Sequence, residues 1–310
     1  MKQEIKWWYY MVALVPPFMG AVSYVMSKYV INDISPISLL FYRWLVAVVI
    51  LTPFSIKPFL AEISNIRANI GILSIIAISG VTLFNLFVYY ALQYTTSTNT
   101  SIIIGIFPLV VLALGVIINK DKLKKSQIYS IIFSFLGILI ILSRGQILQS
   151  LEGLFNNLGD VLALMATICW AIYVFSVKYK PINLSFRAFV YATFAIGTIL
   201  ILPLYLLDIL YLEHVFELNV TNVSVIFCLG FGVSIVGMMS LNISIARIGP
   251  NISSILFYFA PLFTSIMAVI ILEEELKSFH VAGIIIILFG VNFPLIVRLL
   301  NRKNQAREVS

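Results

Sequence analysis

The stretch that decides the fold of this chain is residues 271–290, which read ILEEELKSFHVAGIIIILFG. Three consecutive glutamates separate two apolar runs, and each run has the character of a buried helix. Residues 118–137, INKDKLKKSQIYSIIFSFLG, repeat this pattern with lysines in place of most of the acids. Two related loops of opposite charge therefore have to be accommodated between apolar helices of one fold.

The composition excludes a soluble domain. Hydrophobic residues make up 61% of the 310 residues and charged residues only 11%, whereas a soluble domain carries about 25% charged residues. A helix needs about 20 apolar residues to cross a bilayer, and the runs are continuously apolar rather than alternating as in barrel strands. We therefore predict an all-α integral membrane protein with ten transmembrane helices. The predicted spans are 8–30, 36–54, 70–92, 96–118, 127–143, 158–179, 186–206, 222–243, 248–272 and 279–298.

The basic residues are distributed unequally between the two sides of these spans. Of the 20 lysines and arginines, sixteen fall on the side that carries both termini. Three, Lys28, Arg144 and Lys277, fall on the other side, and Arg43 lies within a span. Because cytoplasmic loops are enriched in Lys and Arg, we predict cytoplasmic termini and an external glutamate loop. The pattern suits a bacterial inner membrane and explains the net charge of +7 without a nucleic-acid partner.

An internal repeat relates the two loops. Residues 101–142 align with residues 254–295 without a gap at an offset of 153, with 13 identities over 42 positions. The identities that an apolar chain would not produce by chance are Pro108/Pro261, Lys124/Lys277 and Gly137/Gly290. Each copy contains five predicted spans, an odd number, so the second copy enters the membrane from the opposite side, as in transporters with inverted repeats. The predicted units are residues 1–143, an external linker at 144–157, residues 158–299 and a cytoplasmic tail at 300–310.

Several stretches of the chain resemble the EamA repeat of the drug/metabolite transporter superfamily. They are SFLGILIIL (134–142), GDVLALMATICWAIYVFSVKY (159–179), IARIGPNISSILFYFAPLF (245–263), LEEEL (272–276) and AGIIIILFGV (282–291). In that family a span with a proline precedes a Leu-Gly-Glu-x-Leu-like loop, which Leu272, Glu274 and Leu276 fit. Glu273 stands where glycine is usual, and Asp121 and Leu123 fit the loop of the first copy less well.

The resemblance implies two inverted five-helix halves around a central substrate cavity, with alternating access to the two sides. It implies a secondary transporter for a small metabolite that acts without a cofactor or a metal. An enzyme is not expected, because the sequence contains no HExxH, GxSxG or paired His/Asp set. The alternatives left open are a flippase for an amphipathic lipid or lipid-carrier substrate and an exporter of cationic drugs. Oligomeric state, coupling ion and direction of transport are not encoded in any motif.

Polar and aromatic residues within the spans are the candidates for the cavity wall, because small-molecule sites combine apolar walls with a few polar groups. The alternative role for each is a hydrogen bond between helices. The candidates are Tyr24, Arg43, Asn85, Tyr89, Gln93, Asn99, Trp170, Tyr173, Asn242 and Tyr258. Pro108 and Pro261 are the predicted helix kinks, because proline removes a backbone donor.

Arg43 gives the one indication of substrate charge. An arginine within a span must face the protein interior or an aqueous cavity, where its guanidinium group binds carboxylates in a bidentate manner. The sequence thus favours a zwitterionic or anionic substrate such as an amino acid, and a structural arginine held by carbonyls is the alternative. Asp160 and Glu274 are interpreted as helix-capping acids at span ends, with Glu274 assigned to the last helix.

Overall fold

The computed structural model describes residues 7–122, 125–143, 157–179, 183–211, 219–248, 256 and 259–308, and the regular elements in these ranges are all helices. We call residues 7–143 the first half and residues 157–308 the second half. The helices of the first half are α1, Trp8–Val30; α2, Pro36–Ala61; α3, Ile63–Ala68; α4, Ile70–Tyr94; α5, Ser97–Asn119; and α6, Lys125–Leu142. Those of the second half are α7, Leu158–Tyr179; α8, Phe186–Tyr211; α9, built from Val220–Phe227, Cys228–Gly237 and Met238–Ile248; α10, Ala260–Leu272; and α11, Ser278–Glu308.

Seven of these helices are long and apolar enough to cross a membrane, namely α1, α2, α4, α5, α7, α8 and α9. Three shorter apolar helices lie in α6, α10 and the start of α11. The all-helical membrane character predicted from composition is confirmed, and the count of ten spans stays a prediction. Helix α2 continues to Ala61, beyond the predicted end at residue 54. Pro53 and Pro58 lie inside this helix and do not end it.

Two helices contain π-helical segments that the periodicity of the sequence did not predict. Ala77–Leu83 interrupts α4 and Cys228–Gly237 interrupts α9. Such wide turns shift the helical register and are frequent at functional sites. Side chains satisfy backbone carbonyls in both segments: the amide Nδ2 of Asn85 donates to the Gly80 and Val81 carbonyls, and the Ser234 hydroxyl donates to the Leu229 carbonyl.

The two loops related by the offset of 153 begin with the same backbone turn. Lys120 (φ 57°) ends α5 and Glu273 (φ 55°) ends α10, both in the left-handed region. In each loop the next residue closes the turn on a carbonyl six residues earlier, at 3.2 Å from Asp121 N to Gly115 O and 3.1 Å from Glu274 N to Ala268 O. This is a helix-ending geometry that satisfies otherwise unpaired carbonyls. The alignment made on sequence therefore pairs residues with matching conformations.

Contacts between the halves follow the same correspondence. Helix α2 packs along α8 and α6 packs along α11, so the second and fifth long helices of each half meet their counterparts. Helix α1 contacts α9 and α10, while α7 contacts α4 and α5. The main hydrophobic core lies among α2, α4, α8 and α9, where Leu39, Leu40 and Leu229 are fully buried.

The α2–α8 pair is joined at both of its ends. At one end the Ser35 and Ser38 hydroxyls donate to Asp208 Oδ2 on α8. At the other end the Ser185 backbone N–H donates to Glu62 Oε2 at 2.8 Å. Hydrogen bonds from Ser185 hold the pKa of the Glu62 carboxyl below its usual value.

Close packing of α6 against α11 predicts a large effect of a single methyl group. A Cβ atom added to Gly290 would lie 2.7 Å from the backbone nitrogen of Ser134 and 2.9 Å from Phe133 Cβ. The added methyl group would push the backbone of α6 away from α11 and disturb the packing of the two helices. We therefore expect Gly290→Ala to lower the free energy of unfolding by about 1–3 kcal/mol. Denaturation of the detergent-solubilised protein measures this. Gly71→Ala is the control, since nothing lies within 4 Å of its added Cβ, and equal stability of the two variants would contradict the packing.

Candidate functional site

A cavity of about 140 Å³ lies between the halves. Helices α1, α2, α4 and α5 of the first half line it together with α7, α8, α9 and α10 of the second. The wall is mainly apolar and aromatic, and Arg43 is the one charged residue among the described residues that line it. A largely apolar cavity with a few polar groups is typical of a small-molecule site.

Arg43 on α2 is held by four neutral side chains. Its Nε donates to Ser234 Oγ at 3.0 Å, and its Nη1 donates to Ser23 Oγ at 3.2 Å, Asn85 Oδ1 at 2.9 Å and Tyr89 Oη at 2.8 Å. The side chain is buried, with 5% of its surface exposed. These bonds fix the position of the guanidinium group, whose Cζ also lies 5.1 Å from the centre of the Trp44 ring, and none of these partners carries a negative charge.

The π-helical segments explain how two of these partners reach Arg43. Ser234 lies within the π-helical part of α9, and Asn85 follows the π-helical part of α4 directly. Each donates its own hydrogen to a backbone carbonyl of its segment and presents an oxygen to Arg43. The arginine therefore connects the irregular segments of both halves.

The charge and the remaining donor of Arg43 are available to a ligand. All of its hydrogen-bond partners in the described part of the chain are neutral, and none of these bonds uses Nη2. A buried cation is costly unless it is paired, and a hydrogen bond from an ionised donor to a carboxylate is stronger than one between neutral groups. The arrangement can therefore hold a carboxylate in the cavity.

An aromatic group forms another part of the wall. Trp170 on α7 stacks on Tyr173 with ring centroids 4.8 Å apart and contacts Phe84 on α4 at 4.7 Å. Gly80 permits this arrangement, because a Cβ atom there would lie 2.7 Å from Tyr173 Cγ. The cavity thus combines one cationic corner with one aromatic face.

Five of the ten predicted site residues line the cavity: Tyr24, Arg43, Asn85, Trp170 and Tyr173. Tyr89 lies behind Arg43 and is fully buried.

Like Tyr89, the other four predicted residues are not among those that line the cavity. Gln93 is exposed, and Asn242 donates to the Met238 carbonyl of its own helix. Asn99 is buried among polar residues at the start of α5, and Tyr258 lies outside the described residues.

Both predicted kink prolines lie in the first turn of a helical segment. Helix α5 is interrupted by a turn at Gly105 and Ile106, and Pro108 begins the segment Phe107–Asn119 that follows. Pro261 likewise lies in the first turn of α10 and lines the cavity. Proline is tolerated there, because the first turn of a helix lacks backbone acceptors for its N–H groups.

No motif indicated Ser23 or Ser234, which are single serines in apolar runs. The sequence also placed Glu274 wrongly: this side chain caps the start of α5 in the first half, not the last helix. A signal for Ser234 was present in the cluster of glycines at 230, 232 and 237 around it, because glycine-rich helix segments permit irregular turns.

Apolar helices from two halves, closed around a cavity with a buried arginine, define a membrane transport protein. The model of the EamA-like transporter family matches residues 7–143 and 157–295. The chain therefore belongs to this family and contains two copies of its domain.

Relatives with similar sequences are also transporters by name. The chain is 26% identical over 280 residues to the "Uncharacterized transporter YyaM" of Bacillus subtilis, covering 88% of each chain. It is 29% identical over 273 residues to an "Uncharacterized transporter" of Archaeoglobus fulgidus, covering 87% of this chain and 91% of the relative. A solved crystal structure with 13% identity has a TM-score of 0.60 and covers 93% of this chain and 98% of that one, which supports the fold alone.

Proposed function

We propose that this protein is a secondary transporter that carries a small metabolite with a carboxylate group, such as an amino acid, by alternating access. Ten transmembrane helices form two inverted five-helix halves, with both termini in the cytoplasm of a bacterial cell. The substrate binds between the halves, and rocking of the halves exposes it to each side in turn.

The observation that carries this proposal is the guanidinium group of Arg43 in the cavity, whose hydrogen-bond partners among the described residues are all neutral. A fixed cation in a low-dielectric site attracts an anion and repels a cation much more strongly than it would in water. The four neutral hydrogen bonds pre-orient the group, so that little ordering is required when a ligand binds.

The size of the cavity suits a small ligand. A dry cavity of about 150 Å³ holds a ligand the size of benzene, and the volume of about 140 Å³ here is similar. A single amino acid is compatible with this space. The positive charge in turn disfavours a purely cationic drug.

The inverted architecture is supported by the matched turns at Lys120 and Glu273 and by the matched contacts between equivalent helices. It predicts opposite locations for two equivalent exposed residues, Lys122 and Glu275, which are 153 positions apart. The inverted architecture is tested with a single cysteine at each of these sites. The background is a variant in which both native cysteines are replaced. We expect an impermeant thiol reagent to label Glu275→Cys in intact cells and Lys122→Cys only after permeabilisation. Labelling of both from outside would contradict an inverted repeat.

The substrate class is tested by thermal denaturation of the purified protein with matched pairs of compounds. Each pair consists of an amino acid and the amine that lacks its carboxylate. A ligand at 100 times its Kd stabilises the folded state by about 2.7 kcal/mol. We expect members of the acid series to raise the Tm and the matching amines to leave it unchanged. Equal stabilisation by the amines, or by a quaternary ammonium compound, would contradict the proposal.

A further inference from the structure

The start of α5 is bound by a loop of the other half. Glu274, between α10 and α11, accepts hydrogen bonds from Ser97 N at 2.7 Å, Thr98 N at 3.2 Å and Thr98 Oγ1 at 2.9 Å. A carboxylate at a helix N-terminus is favoured by the helix dipole and by charge-assisted hydrogen bonds. Glu274 therefore fastens the second half to the first at this point.

A second group of polar contacts joins the halves next to Glu274. Asp160 at the start of α7 accepts from Thr95 Oγ1 at 2.7 Å and from Asn99 Nδ2 at 3.5 Å. His280 on α11 accepts from Lys277 N through Nδ1 at 3.0 Å, so its Nε2 is the nitrogen that donates to Asn99 Oδ1, also at 3.0 Å. The residues that begin α5 are thus held by three different elements of the second half.

This group of contacts lies at one end of the cavity. Ser97 Oγ donates to the carbonyl of Tyr24 at 3.5 Å, and Tyr24 lines the cavity. Ser101 lies one turn of helix after Ser97, about 6 Å along the axis, and lines the cavity as well. Separation of the Ser97–Thr98 turn from Glu274 would therefore open a path from that end to the cavity.

We propose that Glu274, Asp160 and His280 form a gate that closes the external end of the cavity and must release the start of α5 for substrate to pass. We call these three residues the external latch. The inference rests on the alternating access proposed above, because the rocking of two halves requires contacts that break on one side. The external assignment follows from the predicted topology.

The internal repeat places an equivalent carboxylate in the corresponding loop of the first half. Asp121 occupies the position equivalent to Glu274 and follows the same left-handed turn, so each half presents a carboxylate at the same place in its loop. In an inverted repeat these two carboxylates lie on opposite sides of the membrane. Two gates, one for each side, are what alternating access requires.

The latch is tested by the reactivity of a cysteine in the cavity. The reporter is Ser101→Cys in a variant with Cys169→Ala and Cys228→Ala, and the probe is an impermeant methanethiosulfonate reagent added to intact cells. We expect Glu274→Ala to increase the labelling rate about tenfold, a change of about 1.4 kcal/mol in the gating equilibrium. Glu275→Ala is the matched control, because Glu275 is the next residue and is exposed, and it is expected to leave the rate unchanged.

Thr98→Val provides a second variant that retains Glu274 and removes one hydroxyl donor. A smaller increase in labelling rate is expected, with cooperative thermal unfolding of both variants as the check on folding. Equal labelling rates in Glu274→Ala, Thr98→Val and Glu275→Ala would overturn the latch. The comparison of acids with amines separates this result from the proposed function: if acids still stabilise the variants, only the latch is wrong, and if wild type shows no preference for acids, the proposed function itself fails.

Discussion

Arg43→Gln is expected to weaken binding of carboxylate ligands by at least about 30-fold. The guanidinium group is the one charge on the described cavity wall, and removal of one partner from a buried hydrogen-bonded charge pair costs about 2 kcal/mol or more. A loss of 2 kcal/mol corresponds to about 30-fold in Kd. Isothermal titration of purified wild type and variant with an acid that stabilises the wild type measures the change.

Arg67→Gln is the control for this substitution, because Arg67 is exposed on the short helix α3. Its affinity for the same acid is expected to equal that of wild type. Arg43 also binds Ser23, Asn85, Tyr89 and Ser234, so the Tm of the variant without ligand is measured alongside. An unchanged Kd in a folded Arg43→Gln variant would show that the arginine is structural.

Trp170→Ala is expected to weaken ligand binding by at least about tenfold. Trp170 is the centre of the aromatic face, where it contacts Tyr173, Phe84 and Phe107 with ring centroids 4.7–6.5 Å apart. Truncation of a buried tryptophan at a binding site often costs 2 kcal/mol or more. The effect is measured as Kd in the same titration, and Trp170→Phe is expected to restore most of the affinity.

Trp8→Ala is the matched control for the loss of a tryptophan, since Trp8 lies at the start of α1 and is largely exposed. We expect its affinity to equal that of wild type. Similar losses in both variants would point to a general effect on the protein in its detergent, and the assignment of Trp170 to the binding site would then be wrong.

The membrane character and the paired loops could be predicted from sequence, because both depend on local features. Long apolar runs require helices in lipid, and the identities at an offset of 153 align Lys120 with Glu273, which share one backbone conformation. Arg43 could also be predicted as an inward-facing residue, because an intramembrane charge has few other places to lie.

The set of cavity residues could be predicted only in part, because it depends on helical register. Asn85, Tyr89 and Gln93 are spaced four residues apart, and at 3.6 residues per turn Gln93 is rotated about 80° from Asn85. Asn85 and Tyr89 accordingly both reach Arg43, whereas Gln93 is exposed.

The π-helical segments add a shift in register that hydrophobic periodicity does not reveal. Ser234 reaches Arg43 from such a segment, while Asn242, one helical segment later, bonds its own backbone.

The capping role of Glu274 depends on a contact between distant parts of the chain. Its partners Ser97 and Thr98 are 177 and 176 residues away. A short acidic loop before a helix is locally indistinguishable from a cap of that helix, so the sequence favoured α11. Only the packing of the two halves brings the loop to α5.

Counterflow in proteoliposomes tests most directly the claim that this protein carries a carboxylate substrate through a site formed by Arg43. Vesicles are loaded with an excess of the unlabelled acid that stabilises the purified protein, and labelled acid is added outside. We predict transient accumulation of label above its equilibrium level with wild type and Arg67→Gln, and none with Arg43→Gln. Counterflow of a quaternary ammonium compound by wild type that persists in Arg43→Gln would contradict the account.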